Sequence, residues 1–226
     1  MKTPDSFTLV ARTVNAPKRT RREQAAATKE RIIQAAIEVF TQAGYVGARM
    51  NDIADRAGVA VQTVYFTFHT KPELLQASFD YAVLGPERLP PPEQAFFADL
   101  RAARSGRVVL AAFVQGNTAI LRRAAAITEV AKSAPHEPEA AAVVDHSERL
   151  RREGLSQVVK LLADRFGLRS STTDEDATDL LLMLSSPATY LTLQRYGWSE
   201  KKYIEWLTDT LAVQLLAHPG KPGKGR

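Results

Sequence analysis

Apolar residues in the first third of this chain fall at helical spacing and are broken into short runs by glycine and proline. From about Gln24 to Ala43, Ile33, Ala36, Ile37 and Phe40 recur three and four residues apart, and Gly44 stops the pattern. A short helix is expected from about Met50 to Ala57, with Met50, Ile53, Ala54 and Ala57 inward and Gly58 as its breaker. Another follows from about Val61 to Phe68. Thr70-Lys71-Pro72-Glu73 then opens a fourth helix, running to Leu84. Thr70 is a cap, Glu73 lies three residues on as in a capping box, and Pro72 sits in the first turn, where its missing N–H costs nothing. The segment from Gly85 to Pro92 cannot continue a helix and reads as a linker. Further helical stretches are expected at about 93–104, 106–133, 137–166, 173–195 and 199–217. Pro187 kinks or splits the 173–195 stretch, and Thr172 to Glu175 and Ser199 look like N-caps. No segment alternates as a strand would, so the chain reads as all-α.

The ends read differently. Residues 1–22 lack periodicity and finish on Lys18, Arg19, Arg21 and Arg22, which predicts a disordered basic arm able to lie along phosphates or in a minor groove. Residues 218–226, rich in Gly, Pro and Lys, read as a disordered tail. The 226 residues suffice for one or two domains, and 45% hydrophobic with 24% charged residues is a globular composition. The net charge of +5 suits a polyanionic partner without requiring one. With no cysteine, disulfides, thiol nucleophiles and thiolate metal sites are excluded, and a reducing cytoplasm is the expected location. Neither a signal peptide nor an apolar run of the roughly 18–20 residues a bilayer needs is present, so no membrane partner is expected.

The second and third helices meet the steric demands of a helix-turn-helix. Ala54 is small where the helices cross, Gly58 tolerates a left-handed turn, and Val64 anchors the second helix against Ile53 and Ala54. Phe68 and Leu74 complete a small core with Ile33, Ile37 and Phe40. With those residues inward, Val61, Gln62, Thr63, Tyr65, Phe66 and Thr67 occupy the first turns and outer face of the helix suited to a major groove. Gln62 can pair with an adenine edge, and a Thr or Val methyl can pack on a thymine methyl. The hydroxyls of Tyr65 and Thr67 can reach phosphate, and Lys71 stands at a helix N-terminus that already favours an anion. The alternative reading is that Tyr65 and Phe66 are core aromatics.

The run from Ile32 to Leu75 resembles the TetR family of regulators, through Asp52-Ile-Ala54, Ala57-Gly58-Val59, Thr63-Val64-Tyr65-Phe66, Phe68-His-Thr-Lys71 and Glu73-Leu-Leu75. The resemblance implies that the outer face from Val61 to Thr67 meets bases and phosphates and that Lys71 contacts phosphate. Two positions depart from the family pattern. Arg49 stands where a Thr or Ser normally caps the first motif helix, and is itself suited to a phosphate or guanine; Ala60 replaces a common Ser.

The resemblance further implies two domains, residues 23–70 binding DNA and 71–217 forming a helical bundle that binds a small-molecule effector. Homodimerisation through the last two helices, about 173–195 and 199–217, would set paired recognition helices on a palindromic operator. Leu180, Leu181, Leu184, Leu191, Leu207, Leu211 and Leu215 supply stripes for that interface, for the monomer core, or for both. Gln115, Asn117, Thr118, Glu129 and His146 are polar groups that could line the effector pocket or serve as bundle contacts.

Catalysis is the rival class. His136-Glu137 starts like a zinc-protease motif, but Ala140 replaces the second His and Pro138 breaks the helix. Ser199-Glu-Lys-Lys202 reads better as a cap with solvated lysines, and the four histidines are not clustered. No catalytic residue, metal or cofactor is therefore expected. A DNA-free interaction module is the other rival, separable by its lack of salt-dependent affinity for duplex.

Overall fold

A computed structural model describes residues 20–85, 88–134 and 136–219. Ten α-helices follow one another among them, and no strand is formed beyond one isolated bridge between Leu168 and Leu216. The first helix, α1, spans Arg21–Gly47 and starts earlier than its apolar periodicity suggests. Thr20 and Glu23 close a reciprocal capping box: the Thr20 amide donates to Glu23 Oε2 at 2.7 Å, and the Glu23 amide donates to Thr20 Oγ1 at 3.2 Å. Arg21 and Arg22 therefore stand, exposed, in the first turn of α1 and not in a disordered arm. Lys18 and Arg19 lie outside the described residues, as does most of the tail. Gly44 breaks the helix as its position suggests, and Tyr45 folds back beside Phe40, ring centroids 6.0 Å apart.

Helices α2 (Met50–Ala57), α3 (Val61–Phe68) and α4 (Lys71–Leu84) match the expected boundaries. Thr70 caps α4 by accepting from the Glu73 amide at 3.3 Å. The reciprocal half of the expected capping box does not form, because Glu73 turns to His69 Nδ1, 3.3 Å away. After a 3₁₀ turn at Pro91–Glu93 come α5 (Ala95–Ala102), α6 (Gly106–Lys132) and α7 (Pro138–Phe166). The stretch anticipated at 173–195 is two helices, α8 (Asp174–Leu184) and α9 (Pro187–Arg195), and α10 covers Glu200–Leu215. Proline has no N–H to donate, so the chain restarts at Ser186, whose Oγ accepts from the Thr189 amide at 3.1 Å.

Two hydrophobic cores hold these helices, and α6 and α7 run through both. The first joins Ile32, Phe40, Ile53, Val64, Phe68, Leu74 and Leu75 to Ile127 and Ala131 of α6 and to Ala140 and Val143 of α7. The second joins Leu100, Leu110, Leu121, Val159, Leu162, Leu181, Tyr203, Leu207, Leu211 and Leu215. The first core thus extends past residue 70 into the far ends of two long helices. A rigid rod that shifts in one core must move in the other, since close-packed interiors transmit displacement instead of absorbing it.

Candidate nucleic-acid interface

Burial on one side of α3 dictates what the other side presents. Val64 is fully buried and Phe68 nearly so, while Tyr65 is 49% and Phe66 85% exposed. The two aromatics are therefore outward, which closes the alternative that they belong to the core. Gln62 is exposed beside them, and Thr63 and Thr67 are half-buried, with Thr67 Oγ1 donating to the Thr63 carbonyl at 2.7 Å. Val61 is less free than expected, being half-buried against the first core. The helix Val-Gln-Thr-Val-Tyr-Phe-Thr-Phe carries no charge.

The turn before α3 is fixed by Gly58, at φ 65° and ψ 43°, whose amide donates back to the Ala54 and Asp55 carbonyls. A Cβ there would meet nothing within 4 Å, so backbone conformation alone favours glycine, by roughly 1–2 kcal/mol. Arg49 is the N-cap of α2 and makes no side-chain cap bond; it is exposed, as is suited to an anion. Ala60 likewise leaves α3 without a side-chain cap. Nearby Arg56 is engaged with Glu38.

Lys71 departs from a simple phosphate contact. Its Nζ donates to the carbonyls of Tyr45 at 2.9 Å, Ala48 at 3.3 Å and Val46 at 3.4 Å, and stands 4.6 Å from the centre of the Tyr45 ring. The ammonium thus closes the frayed end of α1 and ties it to the start of α4. Sequence gave no sign of this partner, which lies 26 residues away.

Of the polar residues proposed for the effector pocket, Gln115 borders a cleft, and the other four do not line it. That cleft, about 390 Å³, lies between the end of α4, α5 and the middle of α6. Asn117 instead donates to the Ser185 carbonyl at 3.3 Å, and buried Thr118 donates to Val114 in its own helix. Glu129 is half-buried with Oε1 enclosed and unbonded, and His146 is exposed on α7; neither borders the cleft. Phe96, Gly116 and Arg123 do, and sequence reasoning passed over them. Two signals pointed there: a glycine in the middle of a long helix, and an arginine in the apolar run Ala-Ile-Leu-Arg-Arg-Ala-Ala-Ala-Ile. No group of three or more metal-binding side chains occurs among the described residues, and no described helix is long and apolar enough to cross a membrane.

Residues 32–78 match the family model described as bacterial regulatory proteins, tetR family. The HTH-type transcriptional regulators TtgW and SrpR of Pseudomonas putida are each 41% identical over 91 residues, 40% of this chain. The match spans 63% of TtgW and 40% of SrpR, less than two thirds of either relative. Among solved structures, NalD, the secondary repressor of the MexAB-OprM multidrug efflux pump in Pseudomonas aeruginosa, has a TM-score of 0.68 at 18% identity, covering 88% of this chain and 100% of NalD. The regulator FadR from Bacillus subtilis, solved with stearoyl-CoA, has a TM-score of 0.64 at 17% identity, covering 80% of this chain and 96% of FadR. These neighbours share the all-α fold, an N-terminal helix-turn-helix followed by a helical bundle. The N-terminal helices, residues 32–78, are thus similar to the bacterial regulatory proteins of the tetR family, and the described chain shares the fold of the solved neighbours.

Proposed function

We propose that this protein is a sequence-specific DNA-binding repressor, released from its operator by a small-molecule effector. The observation that carries the reading is the exposed face of α3: Gln62, Tyr65 and Phe66 project from a helix whose opposite side is locked by Val64 and Phe68. A polar edge beside two large exposed rings on a short, immobilised helix suits readout in a major groove. Arg49, Arg21 and Arg22 are exposed cations suited to phosphate, with Lys18 and Arg19 in the preceding segment. Val61, Thr63 and Thr67 would shape the face, and Lys71 would hold its orientation. The names of the relatives, HTH-type transcriptional regulators, and NalD's role as a repressor support the same reading.

Residues 23–70 would form the DNA-binding unit and 71–217 the effector-binding and dimerising unit, with α6 and α7 anchoring both. Dimerisation would use α8, α9 and α10. Leu207, Leu211 and Leu215 are fully buried in the monomer, whereas Met183 and Val213 are more than half exposed and available to a second copy. An effector changes operator affinity only as far as it binds one dimer shape better than the other. No enzymatic step and no cofactor is part of this reading.

Selection of duplexes from a random library by the purified full-length protein tests it. A palindromic motif should emerge, with affinity falling steeply as salt rises. Tyr65→Ala should lose most of that affinity with helicity unchanged. Failure to retain any duplex at low ionic strength would refute the proposal.

A further inference from the structure

The C-terminal end of α4 is held by side chains that also line the cleft. Arg123 of α6 donates from Nε to the Ala82 carbonyl at 3.0 Å and from Nη2 to the Val83 carbonyl at 3.4 Å. Gln94 Nε2 adds bonds to the Val83 and Leu84 carbonyls, each at 3.4 Å, and to Leu89 at 2.8 Å. These satisfy carbonyls that a helix end leaves without intrahelical partners. Helix α4 is thus pinned at both ends by a cation from another element or to one: Lys71 at the DNA-facing end, Arg123 at the cleft.

Arg123 is unusual in its company. It is half-buried, and no carboxylate among the described residues lies within ion-pair distance of it. Burial, and then neighbouring Arg122, hold its guanidinium below the ordinary pKa. Arg122 itself is turned outward to Glu200 at 3.3 Å. Apolar Leu84, Phe96, Ala112 and Ala119 share the lining with polar Gln94 and Gln115, and Gly116 lies beneath the Phe96 ring. A Cβ on Gly116 would fall 2.2 Å from that ring, so glycine is what lets the aromatic lie flat on the helix. Asp99, the acidic side chain bordering the cleft, is exposed.

We infer that the cleft binds a small amphipathic monocarboxylate, whose carboxylate takes the Arg123 guanidinium from the carbonyls of Ala82 and Val83 and so frees the last turn of α4. The inference rests on the reading of the chain as an effector-responsive regulator and names both the effector's class and its point of action. Arg123 has no carboxylate partner among the described residues, and a bidentate guanidinium–carboxylate pair adds geometric fit to charge attraction. The volume, about 390 Å³, lies in the range of small-molecule sites, and the mixed lining, with Leu84 and Phe96 as its large apolar side chains, suits an amphipathic molecule. Freed at one end, α4 can tilt about its Lys71 anchor and carry α3 with it.

Calorimetric titration of the DNA-free full-length protein with decanoate, methyl decanoate and decanol tests the inference. Decanoate should bind at least tenfold more tightly than the two uncharged analogues, and Arg123→Gln should bring all three within about threefold. Equal binding of decanol and decanoate, or no decanoate binding up to 1 mM ligand, overturns the proposal. The ligand series on unaltered protein decides this even if Arg123→Gln does not fold. Hydrogen exchange reports the cap: decanoate should speed exchange of the Gly85 amide, now bonded to the Tyr81 carbonyl at 3.0 Å, by fivefold or more. Unchanged or slower exchange overturns the release of α4. Carboxylate-selective binding by a protein that retains no duplex would refute the regulatory reading and leave the site standing.

Discussion

Replacing Lys71 with Met removes the ammonium while keeping a stem of similar length against Tyr45. Three carbonyls lose a donor, at 2.9 Å, 3.3 Å and 3.4 Å, of which only the first is within the usual range for a full hydrogen bond. One hydrogen bond to a charged group contributes about 1.5–3 kcal/mol. The ammonium above the Tyr45 ring adds about 0.5–1 kcal/mol at a partly exposed site. Against this, Val46 is exposed, so water can take over part of the lost bonding. The expected net cost is about 2 kcal/mol, falling on the junction of α1 and α4. Urea unfolding of both proteins at one fixed concentration measures it, since a dimer's midpoint depends on concentration. The variant should also bind operator less well, because the frame that orients α3 has loosened. A midpoint shift worth under about 0.5 kcal/mol would refute the reasoning. Lost DNA affinity with intact stability would instead make Lys71 purely a phosphate contact.

Phe66→Ala should weaken operator binding without loss of stability, because a side chain 85% exposed contributes little to the core. An uncharged α3 face with two exposed rings also predicts readout of thymine methyls, so uracil at contacted thymines should cost about 0.8 kcal/mol, or roughly fourfold, per methyl removed; no loss with uracil would contradict it. Glu148 offers a pH test. Burial raises its pKa, but the hydrogen bond from Lys132 and the charges of Arg151 and Lys132 outweigh that and leave it below the ordinary 4.5. The folded form therefore holds its proton less tightly than the unfolded chain. The stabilisation is fully present above about pH 4.5 and is lost as pH falls through the lowered folded value. Glu148→Gln should accordingly be less stable than wild type at pH 7 and about equal to it near pH 2; a constant difference across that range would contradict the assignment.

The fold was legible wherever one face of a helix is buried and punctuated by a breaker. Ile53, Ala54, Gly58 and Val64 place the motif because a small crossing residue, a left-handed turn and an apolar anchor are local requirements. The start of α1 was equally legible in Thr20-Arg-Arg-Glu23, yet periodicity begins later, and the basic residues suggested an arm instead. Pro187 marked the break between α8 and α9. The roles of Lys71 and Arg123 were not legible, because both side chains close a helix end supplied by a distant segment. The polar residues of α6 misled for a related reason. Thr118 can satisfy itself on its own helix and Asn117 on Ser185, so polarity in an apolar stretch does not identify a pocket wall.

Because the chain has no cysteine, a single one can be placed at will. Gln62→Cys, carrying a thiol-directed photocrosslinker, asks directly whether the outer face of α3 meets DNA. On the selected duplex, crosslinks should fall on bases in the major groove, in two patches separated by about one helical turn or a multiple of it. Crosslinks from Leu150→Cys on α7 in place of position 62, or none from either, would contradict the account.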